Sequence, residues 1–458
     1  MINLNGFKEP HAISAFEKIT SEGSRYSNVS VMPVHDHRDI KIITHIDDFE
    51  ALEQEWDGLA WESDTHIFQT YEWNRIWWKH FGKNKKLYIV AVYAENKLAG
   101  IAPLFEDDIW LLGRKVYTCL RFIGSHVSQP EGEPLIGRIP YSDYLDCIVH
   151  PGYEQFFCEL ILQHFNTIKS VYDEFILDEV TEESVICNIM IPLLSTGNHG
   201  LSCKIRQASS SPVIQMDSTW KAYLNSMNVK DRYNAKRYYN RSILSSDKAF
   251  KIKKLKHADE LPGVLSDLIR MHQKQWNKRG FSGTFSEKRM CDFIAEITKL
   301  FHNLGWMQIY MAYPYNVDNK YIAIDFYMTY KDRVYLMHRG VEEDSIHRKD
   351  GPGNVLLYSR IHEAIDDGVL VFDMLRGSEE FKLRMATKIN INKKITIYAN
   401  SKTGRVLPGL VNACMKIIRQ VQSEKLHTTE VFKDKPVTEG ATDYVQFLYK
   451  RIKQKFLN

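Results

Sequence analysis

The chain has 458 residues, of which 44% are hydrophobic and 26% charged, and 60 Lys and Arg face 57 Asp and Glu. These proportions are typical of a globular protein of two or three domains and exclude whole-chain disorder and a collagen-like repeat. The net charge of +3 disfavours a dedicated nucleic-acid binder, because such proteins are usually far more basic. The seven cysteines contain no Cys-x-x-Cys pair, which predicts reduced thiols rather than a disulfide framework or a zinc site.

Neither a targeting signal nor a membrane span is visible in the sequence. The first ten residues lack an apolar segment behind a basic start, so no secretory signal is predicted. No stretch approaches the roughly 18 to 20 apolar residues that a spanning helix needs. We therefore expect a cytoplasmic protein, in which residues 1–38 form a mobile arm because they show no sustained hydrophobic period.

The first regular patterns predict two helices and a β-hairpin. Asp47–Trp61 is predicted to be helical, and a second helix begins after Thr70 as N-cap and ends at Gly82 as C-cap. Leu87–Tyr93 and Leu98–Phe105 then flank a short polar turn, which predicts a hairpin.

The second half of the chain repeats this order. A predicted helix over 286–304 precedes strand Met307–Tyr313, and strand Tyr321–Tyr330 turns at Lys331-Asp332 into Val334–Gly340. Because the order of helix, glycine, strand, turn and strand occurs twice, the sequence suggests two related α/β domains.

The boundary between these domains is predicted near residues 205–220, where strand Pro212–Met216 leads into a long basic helix, Thr219 to about Leu244. The predicted division comprises an N-terminal arm, a first domain, a second domain and a C-terminal extension, at 1–38, 39–205, 206–400 and 401–458. The basic helix interleaves cationic and aromatic side chains: Lys230, Arg232, Tyr233, Lys236, Arg237, Tyr238, Tyr239 and Arg241. Such a helix can bind RNA or anionic sugars, or its basic face can simply be solvated.

A glycine-rich turn between the last hairpin and the next helix predicts a phosphate site. The turn contains Arg348, Gly351, Gly353 and Asn354 and precedes a helix at Val355–Asp367. It places backbone N–H groups at the positive end of a helix dipole, and glycine allows an anion to approach closely. The spacing resembles the loop with which GNAT-superfamily acetyltransferases hold the pyrophosphate of coenzyme A. A tight turn without a ligand would have the same composition.

Several further segments, in the same order along the chain, resemble the CelD-type acetyltransferase family of cellulose and exopolysaccharide biosynthesis. They are Phe68–Trp73, Trp77-Trp78, Phe81-Gly82, Gly100–Leu104, Phe122–Ser125, Ser142–Asp146, Phe372–Gly377 and Glu379–Lys382. The family is built from tandem GNAT folds and is related in architecture to the FemAB peptidyltransferases. An insertion that includes Gln129–Pro134 departs from the family pattern.

This resemblance implies both a fold and an activity. The implied fold is α/β, with two tandem GNAT-like domains whose mixed central sheets are flanked by helices. The implied activity is transfer of an acetyl or other acyl group from acyl-CoA to an amino or hydroxyl group of a sugar or polysaccharide precursor, without a metal. We expect the second domain to bind acyl-CoA and the first domain to shape the acceptor site. The resemblance also allows the protein to associate peripherally with polysaccharide-synthesis machinery.

The second hairpin suggests a catalytic pair. With a loop of two or four residues, its predicted register gives three cross-strand pairs: Tyr327 with Leu336, Asp325 with His338, and Ala323 with Gly340. A carboxylate beside an imidazole fixes its tautomer and raises its basicity, so Asp325 and His338 are candidates for accepting the acceptor's proton. The alternative is a cross-strand pair on a solvated face of the sheet.

The segment from Val369 onward supplies further candidates. Asp373 is a catalytic candidate and Arg376 a substrate ligand, because both lie at the C-terminal end of the predicted buried strand Val369–Leu375, where ligands gather in open α/β sheets. Arg376 offers a fork for a carboxylate or phosphate, and Lys382 adds a positive charge. Tyr358 could protonate a leaving thiolate. The alternatives are an internal salt bridge for Asp373 with Arg376 and simple packing for Tyr358.

In the first domain, Asp143, Tyr144 and Asp146 are predicted to line an acceptor pocket at the domain junction. The alternative is a capped turn with a buried tyrosine. Two other functions stay open: a FemAB-like transferase that uses aminoacyl-tRNA, and a GNAT-fold binding or scaffold protein without turnover. The 17 histidines form no His-Glu-x-x-His motif, so no metal site is predicted.

Overall fold

The computed structural model describes residues 38–111, 114–126, 142–197, 199–217, 219–244, 248–280, 283–315, 320–377 and 379–399. The predicted N-terminal arm up to residue 37, the C-terminal extension at 401–458 and the insertion at 129–134 lie outside the described residues. Within the described part of the chain, no helix has the length and apolar character needed to cross a membrane.

The described strands are β1 (Arg38–Ile43), β2 (Lys86–Ala94), β3 (Lys97–Leu111), β4 (Arg114–Phe122), β5 (Ile148–Val149), β6 (Glu174–Thr181), β7 (Leu201–Gln215), β8 (Phe250–Lys254), β9 (Met307–Pro314), β10 (Ala323–Tyr330), β11 (Arg333–Val341), β12 (Val371–Asp373) and β13 (Lys388–Ala399). The described α-helices are α1 (Ile46–Ala51), α2 (Glu53–Glu62), α3 (Tyr71–Phe81), α4 (Glu154–Ile168), α5 (Ile191–Thr196), α6 (Trp220–Ser226), α7 (Val229–Ile243), α8 (Leu261–Lys278), α9 (Lys288–Asn303), α10 (Pro352–Asp366) and α11 (Glu380–Met385).

These strands form one mixed sheet in which each half of the chain builds the same series. The order across the sheet is β1-β2-β3-β4-β6-β13-β7-β12-β11-β10-β9-β8, and β5 pairs with β3. In the first half β1 to β4 are antiparallel neighbours and β6 is parallel to β4. In the second half β8 to β11 are antiparallel neighbours and β12 is parallel to β11. The predicted repeat and the tandem α/β fold are therefore confirmed.

The sixth strand of each series comes from the other half of the chain. Strand β7 follows the first half in sequence but pairs with β12, whereas β13 follows the second half but pairs with β6. The two exchanged strands also pair with each other, from Leu201 opposite Ala399 to Val213 opposite Lys388. The predicted boundary at residue 205 falls inside β7, and the division into domains stays a prediction.

Local signals in the sequence place most of the predicted elements. The Thr70 hydroxyl accepts a hydrogen bond from the Trp73 N–H at the start of α3, as its prediction as N-cap requires. Glu95 and Asn96 both have positive φ, 51° and 60°, which is the geometry of a two-residue hairpin turn. The predicted helix Asp47–Trp61 is divided into α1 and α2 at Leu52.

The long basic helix is also divided. It forms α6 and α7, and the side chain of Asn228 caps α7 by accepting a hydrogen bond from the Asp231 N–H. An asparagine with this geometry begins a new helix because its side chain replaces the missing intrahelical acceptor.

The register of the second hairpin differs from the predicted one. Tyr327 pairs with Leu336 as predicted, but Phe326 pairs with His338, so β11 contains one additional residue, Met337. This β-bulge shifts all later pairs by one position. Asp325 consequently faces Arg339 instead of His338, and the predicted pairing of Ala323 with Gly340 is also wrong.

One hydrophobic cluster joins the two halves on one face of the sheet. The Phe293 ring of α9 contacts Trp73 and Phe81 of α3, with centroid separations of 5.3 and 5.4 Å. Two further clusters pack α4 and α5 against the first half of the sheet and α7 and α10 against the second. The joining cluster lies beside the cavity that contains the candidate site.

Candidate active site

The glycine-rich turn after β11 forms the start of α10. Gly351 adopts the left-handed conformation, with φ 72° and ψ 49°, and its carbonyl accepts hydrogen bonds from the N–H groups of Asn354 and Val355. Pro352 has no N–H, and the Gly353 N–H belongs to the first helical turn, where an α-helix supplies no internal acceptor. The turn therefore presents the positive end of a helix with room for an anion.

Neighbouring side chains explain why glycine is needed in this turn. A Cβ atom on Gly351 would lie 2.5 Å from Cε1 of Tyr238, and one on Gly353 would lie 3.2 Å from Cγ2 of Val341. Arg241 of α7 donates a hydrogen bond to the Asp350 carbonyl and holds the turn from the other side. A side chain at Gly351 would therefore meet α7, and a side chain at Gly353 would meet β11.

Arg348 stands at the edge of this turn. Its side chain is 40% exposed, and its Nη2 lies 3.2 Å from Oε1 of Glu343. Because the Arg348 side chain is partly exposed, its ion pair with Glu343 contributes little stability, and the guanidinium can bind a phosphate in its place at small cost.

A cavity of about 710 Å³ extends from this turn toward the first half of the chain. Eight of the sequence-predicted site residues line it: Asp143, His338, Arg348, Gly351, Gly353, Asn354, Arg376 and Lys382. The structure thus brings the phosphate turn, the end of β12 and a segment of the first half to one place. Five other predicted residues are not among its lining: Tyr144, Asp146, Asp325, Tyr358 and Asp373.

Two histidines lie side by side in the cavity wall. His338 of β11 and His272 of α8 have ring centroids 6.2 Å apart. Burial lowers the pKa of His338 to about 3, with smaller contributions from His272 and Lys382. Burial also lowers the pKa of His272 to about 4, and its Nε2 accepts a hydrogen bond from the Trp276 indole N–H at 2.9 Å. Both imidazoles are therefore neutral at physiological pH.

Arg376 connects the two halves of the molecule. Its Nε lies 2.6 Å from Oδ1 of Asp143 and its Nη1 lies 2.8 Å from Oε1 of Glu179, both from the first half. Its Nη2 also donates to the Ser142 carbonyl at 3.3 Å. The sequence analysis left open that Arg376 forms an internal salt bridge with Asp373. The geometry favours an internal salt bridge, but the partner of Arg376 is Asp143.

Asp143 and Lys382 have ionisations shifted by burial. Burial raises the pKa of Asp143 to about 6, although the positive charge of Arg376 opposes the shift. Burial lowers the pKa of Lys382, whose Nζ donates to the Arg376 carbonyl at 2.7 Å and lies 3.3 Å from Oε2 of Glu379. The cavity therefore holds a carboxyl group that titrates near neutral pH.

Asp373 is enclosed by the protein. Its Oδ2 accepts a hydrogen bond from the Tyr144 hydroxyl at 2.6 Å, and its Oδ1 accepts one from the Leu375 N–H at 2.7 Å. Burial raises the pKa of Asp373 to about 7. Tyr144 and Leu375 both have positive φ, 57° and 55°, a conformation that costs about 1 kcal/mol or more for such residues. Asp373 thus holds together two strained segments, one from each half.

Asp146 caps a helical segment of the first half. Its carboxylate accepts hydrogen bonds from the N–H groups of Cys147, Val185 and Ile186, at 2.9, 2.8 and 3.4 Å. Burial raises its pKa to about 7. It lines a second, smaller cavity of about 160 Å³, separate from the phosphate turn. Through these contacts Asp146 holds residues 146–147 against the start of the helical segment at Val185 and Ile186.

Asp325 and Tyr358 are both buried behind the cavity wall. Asp325 forms two contacts with Arg339, at 2.7 and 2.5 Å, and accepts a hydrogen bond from the Tyr327 hydroxyl at 2.6 Å. Tyr358 stacks on Tyr238 with an interplanar angle of 9°, and burial raises its pKa. Arg339 rather than Asp325 lines the cavity. Sequence reasoning missed Arg339, Met337 and His272, because neither the bulge nor the approach of α8 has a local signature.

Residues 231–383 match the family described as "Acetyltransferase (GNAT) domain". The chain is an acyl-transferring enzyme. The matched range runs from α7 to α11 and includes the phosphate turn. A GNAT domain uses acyl-CoA as co-substrate, and the cradle at Gly351 and Gly353 fits its pyrophosphate. Among the described residues, no three His, Cys, Asp or Glu side chains are grouped as metal ligands would be.

Among the solved structures that resemble the chain, FemX supports the fold. FemX is 12% identical with a TM-score of 0.51, covering 78% of this chain and 96% of its own. A conserved protein of unknown function from Bacteroides thetaiotaomicron is 13% identical with a TM-score of 0.47, covering 79% and 100%. A tandem GNAT protein from the clavulanic acid biosynthesis pathway is 10% identical with a TM-score of 0.38, covering 78% and 98%. No curated protein is significantly similar in sequence.

Proposed function

We propose that the enzyme transfers an acyl group from acyl-CoA to an amino or hydroxyl group of its acceptor. One observation carries this proposal: the phosphate turn, the bulge of β11 and the buried groups Asp143, His338 and Lys382 belong to a single cavity. One cavity can therefore bind the phosphate groups of the donor at the turn and hold its reacting thioester next to the bulge.

The pyrophosphate of the donor binds at the N-terminus of α10, where it receives the Gly353 N–H and the guanidinium of Arg348. Val341 of β11 lies beside Gly353. From Val341 to Met337 is four residues of extended strand, which is roughly 13 Å. An extended pantetheine arm spans this distance, so the thioester lies next to the bulge.

The bulge supplies the group that stabilises the reacting thioester. A bulge leaves its additional residue outside the regular ladder of hydrogen bonds, and such residues are common beside active sites. We assign the Met337 N–H to the thioester oxygen, on which negative charge develops during attack. A preorganised backbone donor of this kind typically lowers the activation free energy by roughly 3 to 4 kcal/mol.

Asp143 takes the proton of the acceptor. Its pKa of about 6 is close enough to neutral pH for a general base, whereas an imidazole with a pKa of about 3, like that of His338, is a weak base. The acceptor's nitrogen or oxygen forms a bond to the thioester carbon, the carbon–sulfur bond breaks, and the proton passes through Asp143 to the thiolate. Arg376 holds the carboxylate in position, and His338 with His272 forms neutral hydrogen-bonding groups.

The acceptor is a sugar or a polysaccharide precursor. This part of the proposal rests on the resemblance to CelD-type acetyltransferases, and the position of Ser142 and Asp143 at the cavity supports a contribution of the first half to acceptor binding. The second half then binds the donor.

Calorimetry with CoA and acetyl-CoA tests the donor. We expect micromolar binding to the wild type and a loss of at least a hundredfold in Gly353→Asp, which places a carboxylate where the pyrophosphate binds. Gly263→Asp is the matched control, because no atom lies within 4 Å of a Cβ at that position of α8. Equal affinities for all three proteins, or no binding to the wild type, would contradict the proposal.

The use of aminoacyl-tRNA is a second candidate, favoured by one surface. Lys230, Tyr233, Lys236 and Arg237 are exposed on α7, next to the helix that holds the phosphate turn. Binding of tRNA at this surface would weaken steeply with salt concentration. A tRNA affinity that falls by about tenfold or more between about 50 and 200 mM salt, together with no CoA binding, would favour this candidate over the first.

A further inference from the structure

The outward side of helix α7 combines cationic and apolar side chains. With about 100° of rotation per residue, the exposed residues of this helix lie within an arc of about 140°. They are Val229, Lys230, Tyr233, Lys236, Arg237, Asn240 and Ile243. Leu244 follows directly as the C-cap and is also exposed. We call these eight residues the α7 face.

The opposite side of α7 is fixed to the rest of the protein. Ala235 is fully buried, and the ring of Tyr239 stacks on His362 of α10 with centroids 4.5 Å apart. Tyr238 stacks in the same way on Tyr358, also in α10. Because these contacts hold the helix from one side, the α7 face is a rigid surface that points away from the core.

Large apolar side chains are exposed at both ends of the α7 face. Four of its residues expose 57% to 82% of their area, namely Leu244, Ile243, Tyr233 and Val229. Ile346 is 86% exposed and belongs to the helical turn Ile346–Asp350, to which Arg241 of α7 donates a hydrogen bond. Single exposed apolar side chains are common, but a series of them along one helix indicates a surface that another body covers.

The cations of the α7 face have no acidic neighbour on that face. Lys230, Lys236 and Arg237 are exposed, whereas Asp231, the one acidic residue of α7, is half-buried. The carboxylate of Asp231 accepts a hydrogen bond from the side-chain amide of Asn228 at 2.6 Å. Cations beside apolar side chains complement an anionic lipid surface, because its headgroups attract the cations and the region beneath them takes hydrocarbon.

We propose that α7 binds the surface of a membrane that contains anionic lipids, with Val229, Tyr233, Ile243 and Leu244 inserted among the headgroups. RNA carries the same negative charge, but it binds proteins through cations and by stacking on aromatic rings, so it gains little from valine, isoleucine and leucine. The inference goes beyond the proposed function, because it concerns where the enzyme works rather than which group it transfers.

Co-sedimentation of the full chain with lipid vesicles measures this binding. One set of vesicles consists of phosphatidylcholine alone, and the other mixes it with the anionic phosphatidylglycerol. Each cation near an anionic surface raises affinity by about fivefold, which corresponds to about 1 kcal/mol. We therefore expect the anionic set to bind at least about tenfold more tightly than the neutral set. Equal binding to the two sets, or no binding to either, would overturn the inference.

Two double variants separate charge from insertion. Lys236→Ala with Arg237→Ala should weaken binding to the anionic vesicles by about 25-fold. Ile243→Ser with Leu244→Ser should weaken it by at least about tenfold, because hydrocarbon no longer enters the headgroup region. An effect of the first pair without any effect of the second would show that the protein is only adsorbed by charge, and would contradict insertion.

Matched control pairs come from exposed positions outside α7. Lys83→Ala with Lys299→Ala removes two exposed cations, and Val171→Ser with Leu370→Ser removes two apolar side chains that are 65% and 60% exposed. Both pairs should bind the anionic vesicles as the wild type does. If the control pairs weaken binding as much as the α7 pairs, the assignment to α7 is wrong.

A tRNA titration decides between the two anionic occupants. If tRNA binds, vesicles do not, and Ile243→Ser with Leu244→Ser leaves tRNA binding unchanged, the α7 face is an RNA surface and the inference is wrong. The vesicle assay contains neither CoA nor an acceptor, so its result is independent of the proposed donor. Binding of CoA without binding of vesicles would overturn this inference and leave the proposed function standing.

Discussion

The two halves share one strand order but use the connection between their fourth and fifth strands differently. In the second half, the chain passes from β11 through a short turn to Gly351 and α10, and the turn forms an anion cradle. In the first half, the connection from β4 contains the segment Ser142–Asp146, which reaches across to Arg376 and Asp373. The same position in the fold thus forms the proposed ligand site in one half, whereas in its counterpart it contacts the other half of the chain.

Both halves also bury an ion pair between their third and fourth strands. In the second half, Asp325 and Arg339 pair with each other, and the Tyr327 hydroxyl also donates a hydrogen bond to Asp325. In the first half, Arg121 lies 2.9 Å from Asp107 and 3.1 Å from Asp178. The comparison teaches that fold symmetry preserves a charged core position, while the surrounding residues decide how many partners it has.

The largest expected effect concerns these ion pairs. Arg339→Leu leaves the fully buried Asp325 without its cation and should lower the free energy of unfolding by about 3 to 5 kcal/mol. Arg121→Leu should cost less, because Asp107 keeps Lys85 and Asp178 keeps Lys394. Urea denaturation of both variants measures the difference.

A double variant provides the control for this prediction. Replacing Asp325 as well, in Arg339→Leu with Asp325→Leu, removes the unpaired charge and should recover most of the lost stability. Equal destabilisation by Arg339→Leu and Arg121→Leu would show that the neighbouring lysines do not matter.

The next largest effect is a pH dependence at the contact between the halves. The pKa of Asp373 is raised to about 7, so between about pH 4 and pH 7 the folded protein binds a proton that the unfolded chain has released. Stability should therefore fall as the pH rises through this window, by up to roughly 1.4 kcal/mol per pH unit for this one group. Thermal unfolding of wild type and Asp373→Asn at pH 5 and 7 measures it.

Asp373→Asn should reduce this slope, whatever its effect on absolute stability. Asp143 and Asp146, with pKa values raised to about 6 and about 7, maintain a residual slope of the same sign. The exposed Asp259 is the matched control, and Asp259→Asn should leave the slope as in the wild type. An unchanged slope in Asp373→Asn would mean that its carboxyl is ionised throughout this range.

The smallest effect compares one glycine from each half. Gly351 and Gly124 both follow the fourth strand of their series and have positive φ, 72° and 97°. Alanine at either position should cost about 1 to 2 kcal/mol of backbone strain, in addition to the cost of moving Tyr238 or the Ser142 hydroxyl, each of which would lie within 2.5 Å of the new Cβ atom. Only Gly351→Ala should weaken CoA binding, by about tenfold, because the proposed pyrophosphate site lies at its turn and not at Gly124. Calorimetry and thermal unfolding of the pair test this, and an equal loss of CoA affinity in Gly124→Ala would break the comparison.

The elements that could be predicted depend on residues close together in the sequence. The cap at Thr70, the turn at Glu95-Asn96 and the glycine at 351 each follow from local backbone geometry. The phosphate turn was predictable for the same reason, because all of its parts lie within a few residues of one another.

The features that escaped prediction depend on one residue or on distant partners. The bulge at Met337 inserts a single residue without a composition signal, and this was enough to replace His338 by Arg339 opposite Asp325. The approach of His272 to the cavity depends on how α8 packs on β11. The exchange of β7 and β13 joins strands that the sequence gives no reason to pair.

The exchanged strands have a consequence for synthesis on the ribosome. Leu177 of β6 pairs with Ile395 of β13, so the first half acquires its last strand only after nearly all the described chain has emerged. Until then β6 is an open sheet edge, the kind of edge at which nascent chains aggregate. The second half receives β7 before its own strands are made. The sheet is therefore completed only when β13 pairs with β6. If the two halves were produced separately, the first would lack β13 and the second would lack β7.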